Sequence, residues 1–117
     1  FLLLGSIGGR TDHTFANIAT LAFLSEYNYN GIARNNGEEI RILKEGSYEM
    51  NNKKGLIFSV FPYGCESVNV TYKGAEYMLN NKTLTYNVSR GISNVFVDDE
   101  AEITINRGRA ILLTYYK

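Results

Sequence analysis

The sequence of 117 residues predicts an all-β fold: an antiparallel β-sandwich or jelly roll of eight to ten short strands, with at most one short helix, over residues 14–25. Three observations carry this. One residue in three is Val, Ile, Thr, Tyr or Phe, the β-branched and aromatic set that suits a pleated, half-buried surface. Thirteen Asn and eleven Gly against a single Pro supply the positive-φ positions that tight hairpins need. Short stretches of alternating character recur with turns of mostly two to five residues between them, too short for the crossover that a parallel pair requires. A chain of this length builds one domain, spanning 1–117, that buries roughly two-thirds of the surface it exposes unfolded.

The elements follow in order. Phe1–Leu4 reads as a first strand, closed by a turn over Gly5-Ser6-Ile7-Gly8-Gly9. Segment 14–25 is ambiguous: Phe15, Ile18, Ala19 and Ala22 fit a helical stripe, whereas Phe15, Ala19, Leu21 and Phe23 fit one face of a strand. Strand is the favoured reading, with Asp12 as a possible N-cap for the alternative. Ile40 and Ile42 alternate with charged neighbours, and Leu56–Phe61 is apolar on both faces except at Ser59, as in a central strand. Val68, Val70 and Tyr72, then Leu84, Tyr86 and Val88, then Val95 and Val97, then Ala101, Ile103 and Ile105 continue the alternation. Ala110–Tyr116 closes the chain as a last apolar strand. The similarity of Tyr48–Lys53 to Tyr77–Lys82 reads as two like hairpins rather than an internal repeat.

Composition excludes several functions. Twelve basic and twelve acidic side chains, with a pI near 6.8, give no broad field for nucleic acid or an anionic membrane. No apolar run approaches the 18 or so residues of a spanning helix, so membrane insertion is not expected. Phe1 in place of an initiator Met suggests a piece processed or excised from something longer. Cys65, alone, forms no internal disulfide and reads as a buried or partly buried structural thiol. His13, in the polar run Arg10–Thr14, reads as a surface-loop residue with no second His or Cys to make a metal site. Glu38-Glu39 and Asp98-Asp99-Glu100 offer carboxylates, yet adjacent strand residues face opposite ways, so a solvated turn outranks a glycosidase pair or a Ca²⁺ site for the latter. Gly5–Gly9 lacks both the Lys of a phosphate loop and the dinucleotide spacing. The expectation is therefore no catalysis, no metal and no cofactor.

Recognition fits better. Nine Tyr and thirteen Asn combine flat apolar faces with hydroxyls and amides, the mixture that binds sugars. The candidate ligand-binding residues are Tyr27, Asn28, Tyr29 and Asn30, in a loop ending at Gly31, with Tyr63 in the loop Phe61-Pro62-Tyr63-Gly64-Cys65. Glycosylation patterns at Asn69, Asn81 and Asn87 are little more than the Asn, Ser and Thr content yields by accident.

Phe1-Leu2-Leu3-Leu4-Gly5-Ser6-Ile7 resembles the opening strand of distal domains in bacteriophage tail fibres and receptor-binding proteins. The order Ile40-Arg41-Ile42, Glu45-Gly46-Ser47-Tyr48, an apolar strand, then Val68–Gly74 resembles C1q- and TNF-like jelly rolls, which also end in a strand such as Ala110–Tyr115. The resemblance implies a non-enzymatic attachment module on a virion or outside the cell, assembling as a homotrimer and binding a cell-surface glycan or protein. A carbohydrate-binding accessory β-sandwich of a secreted glycan-processing protein is the alternative.

Overall fold

The segment that supports either period folds as a helix. The computed structural model describes residues 2–4, 11–35, 37–87 and 93–116. In chain order the elements are β1 (Leu2–Leu4), α1 (Thr11–Glu26), β2 (Ile32–Asn35), β3 (Glu38–Leu43), β4 (Gly46–Asn51), β5 (Ile57–Pro62), β6 (Ser67–Lys73), β7 (Lys82–Thr85), β8 (Asn94–Val95), β9 (Glu100–Arg107) and β10 (Ala110–Tyr115). The favoured strand at 14–25 is thus corrected to helix. Ile18, Leu21, Ala22 and Ser25 recur at helical spacing and turn inward, and Asp12 stands in the first turn, where the helix dipole favours a carboxylate. The helix ends in a Schellman arrangement. Asn28 takes φ 64°, its N–H donates to Ser25 O at 3.0 Å, and the Tyr29 N–H reaches back to Leu24 O at 3.0 Å.

Among the described residues ten strands form two sheets, one ordered β1-β2-β3-β10-β5-β8 and the other β4-β9-β6-β7. The fold is a mainly antiparallel two-sheet sandwich with one helix, as the composition implies. The exception is β1, which pairs parallel to β2 with α1 as the crossover. The turn expected at Gly5–Gly9 lies outside the described residues.

The short links do something the turn-counting did not anticipate. Besides the α1 crossover, 36–37 and 74–81 join strands that pair with each other; the links β3–β4, β4–β5, β5–β6, β7–β8, β8–β9 and β9–β10 pass from one sheet to the other. From Leu43 to Gly46 there are three residue steps, which at roughly 3.3–3.6 Å each reach the ~10 Å between stacked sheets. A two-residue link therefore serves an arch as well as a hairpin. The paired-hairpin reading of Tyr48–Lys53 and Tyr77–Lys82 fails for the same reason: the first runs from β4 into an arch, whereas Tyr77 precedes β7 in a non-strand loop.

The main core lies between the sheets. Phe58, Tyr72 and Phe96 anchor it, Phe58 stacking on Phe96 at 4.1 Å and meeting Tyr72 edge-on at 5.3 Å. Val68, Val70, Ile103, Ile105 and Leu112 fill the rest from β6, β9 and β10. A smaller core joins Leu21 of α1 to Ala33 and Ile40 on the opposite, outer face of the six-stranded sheet. Gly31 permits this close seating, because a Cβ there would lie 2.6 Å from the Leu21 side chain.

Candidate functional site

The predicted Tyr/Asn loop is the end of α1, and only part of it converges. Asn28, Tyr29 and Asn30 line a recess of about 230 Å³ with Ser25, Lys44 and Tyr48. Lys44 ties its floor: the ammonium donates to Ser25 O at 3.0 Å and to Asn28 Oδ1 at 3.2 Å. The Tyr48 hydroxyl donates to Lys44 O at 2.9 Å and accepts the Lys44 N–H at 3.0 Å. The recess continues past Glu45 into an open groove with Gly108 and Arg109, whose guanidinium lies 3.5 Å from Glu26. Tyr27 is not in it; its ring packs on Phe23 at 5.0 Å. Tyr63 lies on the β5–β6 arch, half-buried, its N–H donating to Arg109 O at 3.0 Å, and it lines neither cavity.

Two further expectations are corrected. Cys65 is exposed rather than buried, its thiol 3.5 Å from Arg109 O and 3.6 Å from Tyr63 O, because the arch after Pro62 carries it to the surface. Position 13 is helical rather than part of a loop, since α1 begins at Thr11. The Asp98-Asp99-Glu100 turn is exposed, with Asp98 Oδ1 accepting the Glu100 N–H at 3.1 Å. Asp99 and Glu100 line a shallow depression of about 610 Å³ with Glu49, Glu102 and Lys73. Asn69, the first glycosylation candidate, has its amide engaged with Thr83 and Asn106 across the sheet surface.

The outer face of the six-stranded sheet beyond α1 forms a shelf. Tyr115 pairs with Ile57 on one side and Glu38 on the other, Leu113 with Ser59, and Ile111 with Phe61, so these side chains share that face. Ile57 is 44% exposed and Tyr115 38%. Ser59 is buried beside them, and its hydroxyl accepts the N–H of Ser93, a non-glycine residue at φ 60°.

On the inner face, at the β2–β3 rim, a charged cluster was missed by sequence reasoning. The Glu39 carboxylate is 4% exposed, and its Oε2 receives Arg34 Nη2, Arg34 Nε at 3.2 Å and the Tyr116 hydroxyl at 3.1 Å. Those contacts, the hydrogen bond first, hold the Arg34 pKa above its ordinary value. Lys53 donates to the Tyr116 hydroxyl at 2.9 Å, and both cations lie near the Tyr116 ring, at 5.1 Å for Lys53 and 5.4 Å for Arg34. The available signal was Glu39 itself, a buried carboxylate beside Glu38 in a strand that is half charged and half apolar.

Residues 39–111 match the family described as thiamin pyrophosphokinase, vitamin B1 binding domain. Solved structures agree in fold. The thiamine pyrophosphokinase of Bacillus subtilis superposes with a TM-score of 0.90 at 24% identity, over 99% of this chain and 55% of that one. The enzyme of Geobacillus thermodenitrificans gives 0.86 at 22%, over 99% and 54%, and the yeast enzyme 0.81 at 24%, over 99% and 39%. The chain thus spans about half the length of these structures, or less. No curated protein matches it significantly.

These findings overturn the attachment-module expectation. The fibre-domain and C1q/TNF resemblance rested on features that any antiparallel sandwich shares: Gly46-Ser47-Tyr48 opens β4 after an inter-sheet arch, and Lys73-Gly74 ends β6. With it fall the homotrimer, the glycan or protein receptor, the virion or extracellular location, the secreted carbohydrate-binding alternative, and the exclusion of any enzyme role, since the matched domain is part of a kinase. With more than half of its length matched, the chain belongs to the thiamin pyrophosphokinase vitamin B1 binding domain family.

Proposed function

We propose that residues 1–117 act as one module, the vitamin B1 binding portion of an enzyme that transfers a pyrophosphoryl group to thiamin. The observation that carries this is the family match over 39–111. Thiamin joins a flat aminopyrimidine to a permanently cationic thiazolium ring, so its site needs apolar or aromatic faces, a few hydrogen-bonding groups and no fixed positive charge. The outer shelf answers that description: Ile57, Leu113 and Tyr115 are apolar or aromatic, an aromatic face attracts a cation, and Glu38 stands beside Tyr115 in register. The recess at Asn28, Tyr29 and Asn30 is the second reading, favoured by its amides and by two Tyr rings but opposed by the Lys44 ammonium.

Thiamin titrated calorimetrically into the protein carrying this chain tests both. Saturable binding is expected, weakened about tenfold or more by Tyr115→Ala, equivalent to ~1.4 kcal/mol, and little changed by Tyr29→Ala. The reverse pattern moves the site to the recess. Absence of binding to the unsubstituted protein refutes the function.

A further inference from the structure

We propose that Arg34 and Lys53, held around Tyr116, form a binding site for a phosphate-type oxyanion at the β2–β3 rim, on the face of the sheet opposite the thiamin shelf. Three observations converge. The charges do not balance: Arg34 pairs across the strands with Glu39, and Lys53 donates to the Tyr116 hydroxyl that bonds the same carboxylate, so two cations meet one carboxylate, while Arg41, two residues along β3 on the same face, lies over the Tyr48 ring at 5.8 Å. Glu38 points to the other face, with Tyr115, and Glu49 and Glu102 line the depression on the far sheet.

The Lys53 ammonium is also incompletely satisfied. It is half-buried, its hydrogen bond is to the neutral Tyr116 hydroxyl, and among the described residues it has no carboxylate within ion-pair distance. Holding a cation away from water without a counter-ion is unfavourable, so an anion supplied from solution is the complementary partner. Finally, the donors are fixed in place. Arg34 is held by two nitrogens on one carboxylate oxygen, and Lys53 is held by the Tyr116 hydroxyl, itself pinned by the Tyr116 N–H on Gly37 O and by its own bond to Glu39. Arg34 keeps Nη1 free of these bonds and is half-exposed, and Lys53 keeps two N–H groups. Several donors around a net positive charge suit a tetrahedral anion with several oxygens.

Inorganic pyrophosphate is the probe, titrated into the protein carrying this chain and followed by calorimetry and by the pyrophosphate ³¹P resonance. Saturable binding is expected. Lys53→Gln should weaken it about tenfold, the loss of one charge-assisted hydrogen bond, whereas Lys73→Gln on the other sheet should not. Thermal unfolding of each variant confirms that it is folded. Arg34→Lys, which keeps the charge beside Glu39 but removes the fork, provides a second variant and should also weaken binding. No saturation at millimolar concentration, or equal binding by the Lys53 and Lys73 variants, overturns the proposal. A nucleoside triphosphate and thiamin diphosphate, used as competitors, distinguish the two sources of the group. The site does not depend on the vitamin reading: pyrophosphate binding without thiamin binding upholds the rim and rejects the shelf.

Discussion

Replacing Tyr72 with Phe should stabilise the protein. Tyr72 sits near the end of β6, opposite Ile103 of β9, with its ring edge against Phe58. It is 2% exposed, and its hydroxyl has no hydrogen-bond partner among the described residues. A buried donor left unsatisfied costs about 1–3 kcal/mol, and Phe keeps the ring, its packing and its edge contact. A gain of at least ~1 kcal/mol is therefore expected, or roughly 3–6 °C in Tm for a domain of this size. Urea unfolding at pH 7 with an unchanged m-value measures it.

The same substitution carries a pH signature. Burial pushes the Tyr72 pKa above its ordinary 10. The unfolded chain then releases this proton at lower pH than the folded one, so the associated stability is complete below pH 10 and drains away as pH rises above it. Between pH 9 and 11 the parent should lose about 1.4 kcal/mol more than Tyr72→Phe. Destabilisation by ~0.5 kcal/mol or more, or parallel stability curves across this range, would show that the hydroxyl has a partner and that the reasoning is wrong.

Two further substitutions test the packing. Leu21→Ala removes the side chain that seats α1 on Ala33 and Ile40 and should cost about 2–5 kcal/mol in urea unfolding; a loss below ~1 kcal/mol would mean that the helix is held by something else. Gly74→Ala places a Cβ 3.0 Å from the Ala101 Cβ and 3.1 Å from its Cα, at φ 74°, and should lower stability by about 2 kcal/mol or more, the sum of left-handed strain and overpacking. A thermal melt unchanged by this substitution would refute the close approach.

The strands were legible where one face is wet. β6 and β9 alternate buried and half-buried residues along most of their length, and Val68-Val70-Tyr72 and Ala101-Ile103-Ile105 stand out at period two. α1 was not, because its apolar residues do not stop at the buried stripe: Phe15 and Phe23 face outward, 67% and 59% exposed, which erases the polar face that distinguishes helix from buried strand. Its stop signal was present but read as function. Tyr27-Asn28-Tyr29 looked like a display of aromatic and amide groups, whereas Asn28 is there for its tolerance of positive φ at a helix end. Of the five residues singled out, Asn28, Tyr29 and Asn30 line one recess because that helix end lies against the β3–β4 arch. Tyr27 and Tyr63 fall on other surfaces, and nothing in local spacing could have separated them.

The two proposed sites follow from one mismatch in the architecture. The sheets are unequal, six strands against four, and a sheet of four cannot cover both edges of its larger partner. The apolar core ends near β3, at Leu43, so at the β2–β3 rim the inward positions Arg34, Glu39 and Arg41 are polar: Arg34 and Tyr116 satisfy Glu39, and Arg41 turns over the Tyr48 ring. On the reverse face the problem is inverted. α1 reaches Ala33 and Ile40 but stops short of Ile57 and Tyr115, leaving apolar side chains where a covering layer would be expected. A two-layer sandwich with matched sheets would have neither feature. Shortening the mismatch should therefore affect the two surfaces separately: Glu39→Gln alters the charge at the rim and should change pyrophosphate affinity, while thiamin affinity at the shelf stays within twofold. If both affinities move together, the faces are coupled and the assignment of separate ligands to them is wrong.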